Sequence, residues 1–288
     1  MSMTPPAPAS VLSGPVPAHD AERKLWRDPR QVQVHRPTPK RDVPYVPTAE
    51  PVVEAILDFA GVGPGDTLYD LGCGDGRIPI GAAKRGASAA GVDIDRLRIR
   101  ECHWNTSRAG KGVAERLRFM RGSLFDVDLR DATVVTLYLL PSINRRLRPK
   151  LMWELKPGSR VLSNYFDMGD WKPDAVLEIH QRVLYRWTIP AWVEGEWDCV
   201  VNSPGRRRSM VLRLRRKYQV LSGTARLGWQ EVPLIAPTLD GSTLSFTLHD
   251  FHGDGVTRFT GRLRGPYLRG ICSARDSERS VPWGGVRR

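Results

Sequence analysis

The sequence predicts an α/β chain: a doubly wound, open parallel sheet followed by a smaller all-β antiparallel domain, either a barrel or a curved sheet. Three observations predict it. Between Thr67 and Phe166, short apolar runs alternate with helical runs that end in Gly or Pro, the pattern of a parallel sheet covered on both faces. From Val183 onward no helical run appears, and apolar and polar residues alternate, as with Met210, Leu212 and Leu214 against Val211, Arg213 and Arg215. Finally, 288 residues with 41% hydrophobic and 26% charged side chains are enough for more than one core and exclude a wholly disordered chain. The expected division is a flexible Pro-rich arm at 1–42, an α/β domain at 43–180 and a basic antiparallel β domain at 181–288.

The elements follow in order. The arm carries eight prolines from Pro5 to Pro39 and little apolar periodicity, with a short helical piece expected around Glu22 to Trp26. A helix starts near Thr48, an N-cap residue, with Glu50 and Pro51 in its first turn. Val52, Val53, Ile56, Leu57 and Ala60 keep helical spacing until Gly61 and Gly63-Pro64-Gly65 stop it. Strands are expected at Thr67–Leu71, Ser88–Val92, Leu117–Met120, Thr133–Leu140 and Arg160–Phe166. Helices are expected at Arg77–Arg85, Arg96–Ala109 and Ser142–Leu155, each followed closely by Gly86, Gly110 or Pro157-Gly158. In the last third, Leu244, Phe246 and Leu248, then Phe259, Gly261 and Leu263, belong to an antiparallel meander of seven or eight strands.

Composition narrows the function. No apolar stretch approaches the ~20 residues that span a bilayer, so membrane insertion is not expected. Met1 to Pro17 has neither the basic start nor the apolar centre of a secretory signal. Cys73, Cys102, Cys199 and Cys272 lie far apart, with no metal or redox spacing, which points to reduced buried thiols and a cytoplasmic protein. The net charge is +13, and residues 181–288 carry +9 of it, notably through Arg206-Arg207-Arg208 and Arg213, Arg215, Arg216 and Lys217. One reading is a surface for nucleic acid or an acidic protein. The other is codon usage, since 36 of the 44 basic residues are Arg. His249-Asp250-Phe251-His252-Gly253-Asp254-Gly255 reads as a hairpin turn, and no metal site is assigned. Gly195-Glu196-Trp197 resembles the Gly-x-Trp of lipocalin-type barrels; a Trp plugging a barrel end explains it equally well.

The chemistry is carried by Asp70-Leu71-Gly72-Cys73-Gly74-Asp75-Gly76-Arg77, which leaves a strand and enters a helix. Glycines at 72, 74 and 76 let the backbone turn sharply and approach a ligand closely. Asp93 ends the next strand, where a carboxylate can accept both hydroxyl hydrogens of a ribose. These residues resemble the first two motifs of class I S-adenosylmethionine-dependent methyltransferases, over about Tyr45 to Asp174. The resemblance implies a Rossmann-like methyltransferase sheet with S-adenosyl-L-methionine as cofactor. It further implies that Asp70 and the backbone of Gly72, Cys73, Gly74 and Gly76 hold the amino-acid end, Asp93 the ribose, Ile94 the adenine face, and Ser123 and Leu124 the adenine edge. Many members have Asp where Ser123 stands; its hydroxyl can serve.

A narrower resemblance lies in Tyr45-Val46-Pro47-Thr48, in Val134 to Leu155 and in Arg160-Val161-Leu162-Ser163. These are similar to the ATP synthase c-subunit and non-SET histone-type lysine methyltransferases. Leu140-Pro141-Ser142 stands where amino-methylating enzymes of nucleobases carry Asn-Pro-Pro-Tyr. The resemblance implies methyl transfer by in-line displacement to an amine, with a protein lysine as first choice. Tyr45, Tyr138 and Asn164 are the candidate entrance residues, together with Tyr165, Phe166 and Trp171, since an apolar, aromatic entrance favours the neutral amine. The alternatives are a nucleic-acid or small-molecule acceptor, with nucleic acid engaged by the Arg-rich β domain. A further one is a non-catalytic binding protein whose barrel grips RNA or an apolar ligand.

Overall fold

A computed structural model describes residues 45–288, apart from 180, 204, 250, 252–254 and 275–278. The expected arm, the helical piece at 22–26, His180 and most of the 249–255 turn therefore lie outside the described residues. Pro37–Arg288 is one compact unit that contains both sheets.

The first sheet has the strand order β3-β2-β1-β4-β5-β7-β6. Its elements are α1 (Glu50–Ala60), β1 (Thr67–Leu71), α2 (Arg77–Lys84), β2 (Ser88–Asp93), α3 (Arg96–Arg108), α4 (Lys111–Ala114), β3 (Leu117–Arg121), β4 (Val134–Leu137), α5 (Pro141–Glu154), β5 (Arg160–Asn164), β6 (Ala175–Ile179) and β7 (Arg182–Thr188). Strands β1 to β5 are parallel, as expected. The hairpin β6–β7 is a correction: β7 inserts antiparallel between β5 and β6, so the sheet is mixed. The expected boundary at 180/181 falls inside that hairpin, and the first sheet runs on to Thr188.

Three local expectations shift for physical reasons. The N-cap of α1 is Ala49, not Thr48, and no side chain caps it. Thr48 is buried instead, with its carbonyl accepting from the Arg77 guanidinium at 2.5 Å. The fourth strand stops at Leu137 because Pro141 opens α5 and extends the backbone before it. The fifth stops at Asn164, because Tyr165 takes a left-handed backbone with φ +74°.

The sheet is packed on both faces. On one, Val53, Ile56 and Leu57 of α1 meet Leu68, Val134, Leu162 and Leu184. On the other, Leu147 and Leu151 of α5 meet Leu71, Val135, Val161 and Trp187.

The second sheet is entirely antiparallel: β8 (Gly195–Ser203), β9 (Arg206–Lys217), β10 (Val220–Leu227), β11 (Gln230–Pro233), β12 (Ile235–Asp240), β13 (Thr243–His249), β14 (Val256–Arg264), β15 (Tyr267–Ala274) and β16 (Ser280–Arg287). Its order is β11-β10-β9-β8-β16-β15-β14-β13-β12, so the first and last strands of the meander pair. Only Leu234 separates β11 from β12, and its N–H donates to the Gly223 carbonyl at 3.0 Å. The two short strands thus act as one bent strand that nearly closes an eight-position barrel.

The barrel is filled with side chains. Phe246 stacks on Phe259 with centroids 4.8 Å apart, and Trp283 meets both edge-on. Gly261 makes room for Trp283, since a Cβ there would lie 2.6 Å from the indole. At one end Trp197 is fully buried and donates to the Val193 carbonyl, with the Arg287 guanidinium 5.8 Å from its ring. This is the barrel plug that the sequence allowed.

The β9–β10 turn fastens the barrel to the α5 face of the first sheet. Tyr218 stacks on Trp171 at 5.6 Å, and Trp171 donates to the Gln219 side chain at 2.9 Å. Trp171 is completely buried there, which removes it from the expected entrance.

Candidate active site

The carboxyl ends of β1, β2 and β4 open onto one cavity, lined among others by Tyr45, Asp70, Gly72, Cys73, Gly74, Asp93, Ile94, Ser123, Leu124 and Tyr138. Gly76 lies just behind, as the N-cap of α2. Asn164 is not in the lining.

The loop between β1 and α2 is shaped by glycine where glycine alone fits. Gly74 has φ +54°, and a Cβ on it would come 2.4 Å from the Tyr45 ring. Gly76 has φ +83°, and a Cβ would come 2.9 Å from the Phe119 ring and 3.0 Å from Cys102 Sγ. The loop is pinned from below: the Val92 carbonyl accepts from the Gly72 and Cys73 N–H groups at 2.8 and 3.0 Å. The Cys102 thiol donates to the Gly74 carbonyl at 3.1 Å. Cys73 Sγ lies 3.9 Å from Cys102 Sγ, and that contact, with burial, holds the Cys73 thiol far above its ordinary range. All four cysteines are buried and free.

Two of the four aspartates that line the cavity, Asp70 and Asp93, sit at the carboxyl ends of β1 and β2. Asp70 is buried at the end of β1 and accepts from the Thr136 hydroxyl at 2.7 Å. Burial pushes its pKa up to about 7; the Thr136 bond opposes this, while Asp93 and Asp75 add to it. Among the described residues no cation pairs with it. Asp93 is half-buried: Oδ2 accepts from the Gly74 N–H at 3.0 Å and Oδ1 from the Asp95 N–H at 2.9 Å. Burial raises its pKa too, against those two bonds. Each Asp93 oxygen keeps a lone pair for a further donor.

Three residues beyond the expected set belong to this wall. Burial by itself would raise Asp75, yet the Arg77 guanidinium at 2.6 Å outweighs it and holds the carboxyl below its usual range. The Arg98 guanidinium of α3 lies 4.2 Å from the centre of the Tyr45 ring, the same ring that crowds Gly74. The Asp75–Arg77 pair was visible within the motif; Arg98 carries no sequence signal beyond its place in the helix after Asp93.

The acceptor side lies further along the same sheet face. Tyr138 follows β4 by one residue and Asn164 ends β5, one step beyond the Leu137–Ser163 pairing. Asn164 is 2% exposed and its Oδ1 has no hydrogen-bond partner. Arg182, at the start of β7, donates to the Tyr138 hydroxyl at 3.0 Å and sits 5.7 and 5.6 Å from the Tyr138 and Tyr165 rings. The sequence reading missed Arg182 because it assigned that segment to the second domain.

The chain is similar to known proteins over this part of its length. The model of the ANTKMT methyltransferase domain matches residues 70–175. A protein-lysine N-methyltransferase of Saccharolobus islandicus is 46% identical over 156 residues, 54% of this chain and 95% of that protein. The chain belongs to the same methyltransferase family as that relative. An ATP synthase c-subunit lysine N-methyltransferase of Xenopus laevis is 31% identical over 46% of this chain, which spans only 58% of that relative. A solved RNA methyltransferase of Salinibacter ruber, in complex with S-adenosyl-L-homocysteine, is 48% identical, with a TM-score of 0.50 over 51% of this chain and 96% of that one.

As a member of that family the protein is an S-adenosylmethionine-dependent methyltransferase, and its own residues fit the cofactor. Asp70 is a buried carboxyl with no counter-cation among the described residues, so the cavity is complementary to a cationic ligand. Asp93 offers acceptors for a diol, and Gly72 and Gly74 bring the loop backbone to the cavity wall. Ile94, Ser123 and Leu124 add apolar surface and one hydroxyl to the cavity lining.

Proposed function

We propose that the enzyme methylates a lysine side chain of a protein in the cytoplasm, where its four free cysteines stay reduced. The observation that carries this reading is the match to the Saccharolobus islandicus protein-lysine N-methyltransferase along 95% of that relative. S-adenosylmethionine would supply an already activated methyl group, transferred in line to an amine with the neutral thioether as leaving group. The protein's task is to orient the amine and keep it uncharged.

The acceptor face suits that task. Arg182 has no carboxylate partner among the described residues, so its positive charge near the entrance disfavours an ammonium. Asn164 Oδ1 is an uncharged acceptor that can orient an amine N–H without the pull of a carboxylate on a proton. Tyr138 and Tyr165 supply aromatic walls, and Tyr45 covers the cofactor loop.

A second reading, RNA as acceptor, is favoured by the description of the Salinibacter ruber relative as an RNA methyltransferase. One experiment separates the two. Transfer of radiolabelled methyl from the cofactor in a fractionated lysate should leave label in methyllysine after protein hydrolysis. Asn164→Leu should cut that turnover at least about tenfold while cofactor affinity stays unchanged, the loss expected for one hydrogen bond. Label confined to RNA overturns the lysine reading, and unaltered turnover in Asn164→Leu removes that residue from the entrance.

A further inference from the structure

The barrel's other end, away from the first sheet, holds a second cavity of about 220 Å³, lined by Arg208, Ser209, Leu227, Gly228, Gln230 and Phe251. Strand β9 builds it by overshooting its neighbour. The β9–β10 ladder ends at Val211↔Arg226, after which β10 turns back through Gly228 and Trp229 into β11. Gly228 has φ +61°, which lets this two-residue turn close tightly and project Trp229 into solvent, where it is fully exposed.

Arg208 is the unusual residue. It shares the inward parity of Met210, Leu212 and Leu214, so its side chain enters the barrel mouth and not the outer face. Its guanidinium lies 5.6 Å from the Phe251 ring, and its Nε is buried with no hydrogen-bond partner. Burial and the neighbouring Arg206 both lower its affinity for a proton, so an anion placed there would relieve the site. Three other arginines of the barrel are neutralised: Arg213 pairs with Glu196 and Glu231, Arg216 with Glu194, and Arg288 with Glu196 and Asp198. Among the described residues no carboxylate pairs with Arg206, Arg207 or Arg208.

We propose that this mouth binds single-stranded nucleic acid, with one phosphate seated in the cavity on Arg208, the next on Arg206, and a base stacked on Trp229. A cation at the floor of a cavity selects a discrete phosphate, which a fluid lipid surface does not present. The lone Trp229, set between Gly228 and Gln230, offers too little apolar area to anchor in a bilayer. A base must be unpaired to lie flat on an exposed indole, which excludes a regular duplex. The site is independent of which acceptor the methyl group goes to, because it lies in the other sheet.

The test is fluorescence anisotropy with the full-length protein and a labelled oligouridylate of about 12 nucleotides. Arg208→Gln and Trp229→Ser should each weaken binding roughly tenfold, the loss of one phosphate contact or one stacked base. Arg208→Gln should also make the salt dependence shallower by about 0.7 in the log–log slope. Arg215→Gln removes the same charge from the same strand, roughly 23 Å away, and should change affinity less than twofold. Unchanged cofactor binding in all three variants shows that they are folded, and Trp229 is too exposed for its loss to disturb the core. Equal weakening by the three variants overturns the site, as does no binding at low salt. Binding to phosphatidylglycerol vesicles through Trp229, without binding to the oligonucleotide, overturns it in favour of a membrane contact.

Discussion

Cofactor binding should expel a proton from Asp70. Its carboxyl has a pKa of about 7 in the free protein, chiefly through burial. A cation beside it, sulfonium or ammonium, favours the ionised form and pulls the pKa back down. Affinity then tracks the ionised fraction of the free protein: about nine-tenths at pH 8, half at pH 7 and one-tenth at pH 6. Binding of S-adenosylmethionine should therefore weaken about tenfold from pH 8 to pH 6, or ~1.4 kcal/mol. Titration calorimetry in two buffers of different ionisation enthalpy should count about half a proton released at pH 7. Asp93, also raised by burial, acts in the same direction, so Asp70→Asn is needed to isolate the Asp70 share. That variant should bind weakly and lose most of the slope. The same shift has a consequence for the empty enzyme. Because the folded state holds this proton more tightly than the unfolded chain, its stability falls as pH rises from about 4 to 7, and Asp70→Asn should flatten that decline. Equal affinity of the wild type at pH 6 and pH 8, or an unchanged slope in Asp70→Asn, would refute the argument.

Two further outcomes test the loop. Asp93→Ala strips the acceptor from both the Gly74 and Asp95 N–H groups as well as from the ribose. It should lower cofactor affinity by about a hundredfold or more in calorimetry, given ~1–3 kcal/mol for each group left unpaired; a loss under tenfold would mean that the diol is held elsewhere. Gly74→Ala drives a Cβ into the Tyr45 ring and should lower both cofactor affinity and Tm. Gly74→Ala with Tyr45→Ala removes the clash but not the backbone strain, so it should recover part of the Tm; no recovery would show that the clash is not the cause.

Local chemistry was readable where it had a short-range cause. The run from Asp70 to Arg77 states its own shape, because three alternating glycines between a strand and a helix leave few backbone solutions. Asp93 was readable from its place at the next strand end. What failed was tertiary. Trp171 has the composition of an entrance residue, yet its burial is decided by Tyr218 and Gln219, 47 and 48 positions later. Thr48 is a good N-cap in isolation, but Arg77 takes its carbonyl and the helix starts one residue later. Tyr165 ends β5 through a backbone conformation that no residue preference would have indicated.

The largest misreading, the boundary at 180/181, has a functional consequence. An antiparallel hairpin has the same alternation whether it finishes one sheet or begins another, so β6–β7 read as the start of the meander. Placed in the first sheet, β7 runs against β5, and its first residue, Arg182, arrives beside Tyr138. The parity of the strands then separates two faces. Asp70 lies two residues after Leu68, Asn164 two after Leu162 and Arg182 two before Leu184, all three of which pack on the α1 side. Tyr218 of the barrel belongs to the opposite side, with Leu147 and Leu151 of α5. Through Tyr218 the barrel is therefore fixed to the face of the methyltransferase sheet opposite the one that carries Asp70, Asn164 and Arg182. A domain held there can act on substrate choice only by capturing part of a large substrate at a distance, which makes its far mouth, not its filled interior, the place to look for recognition.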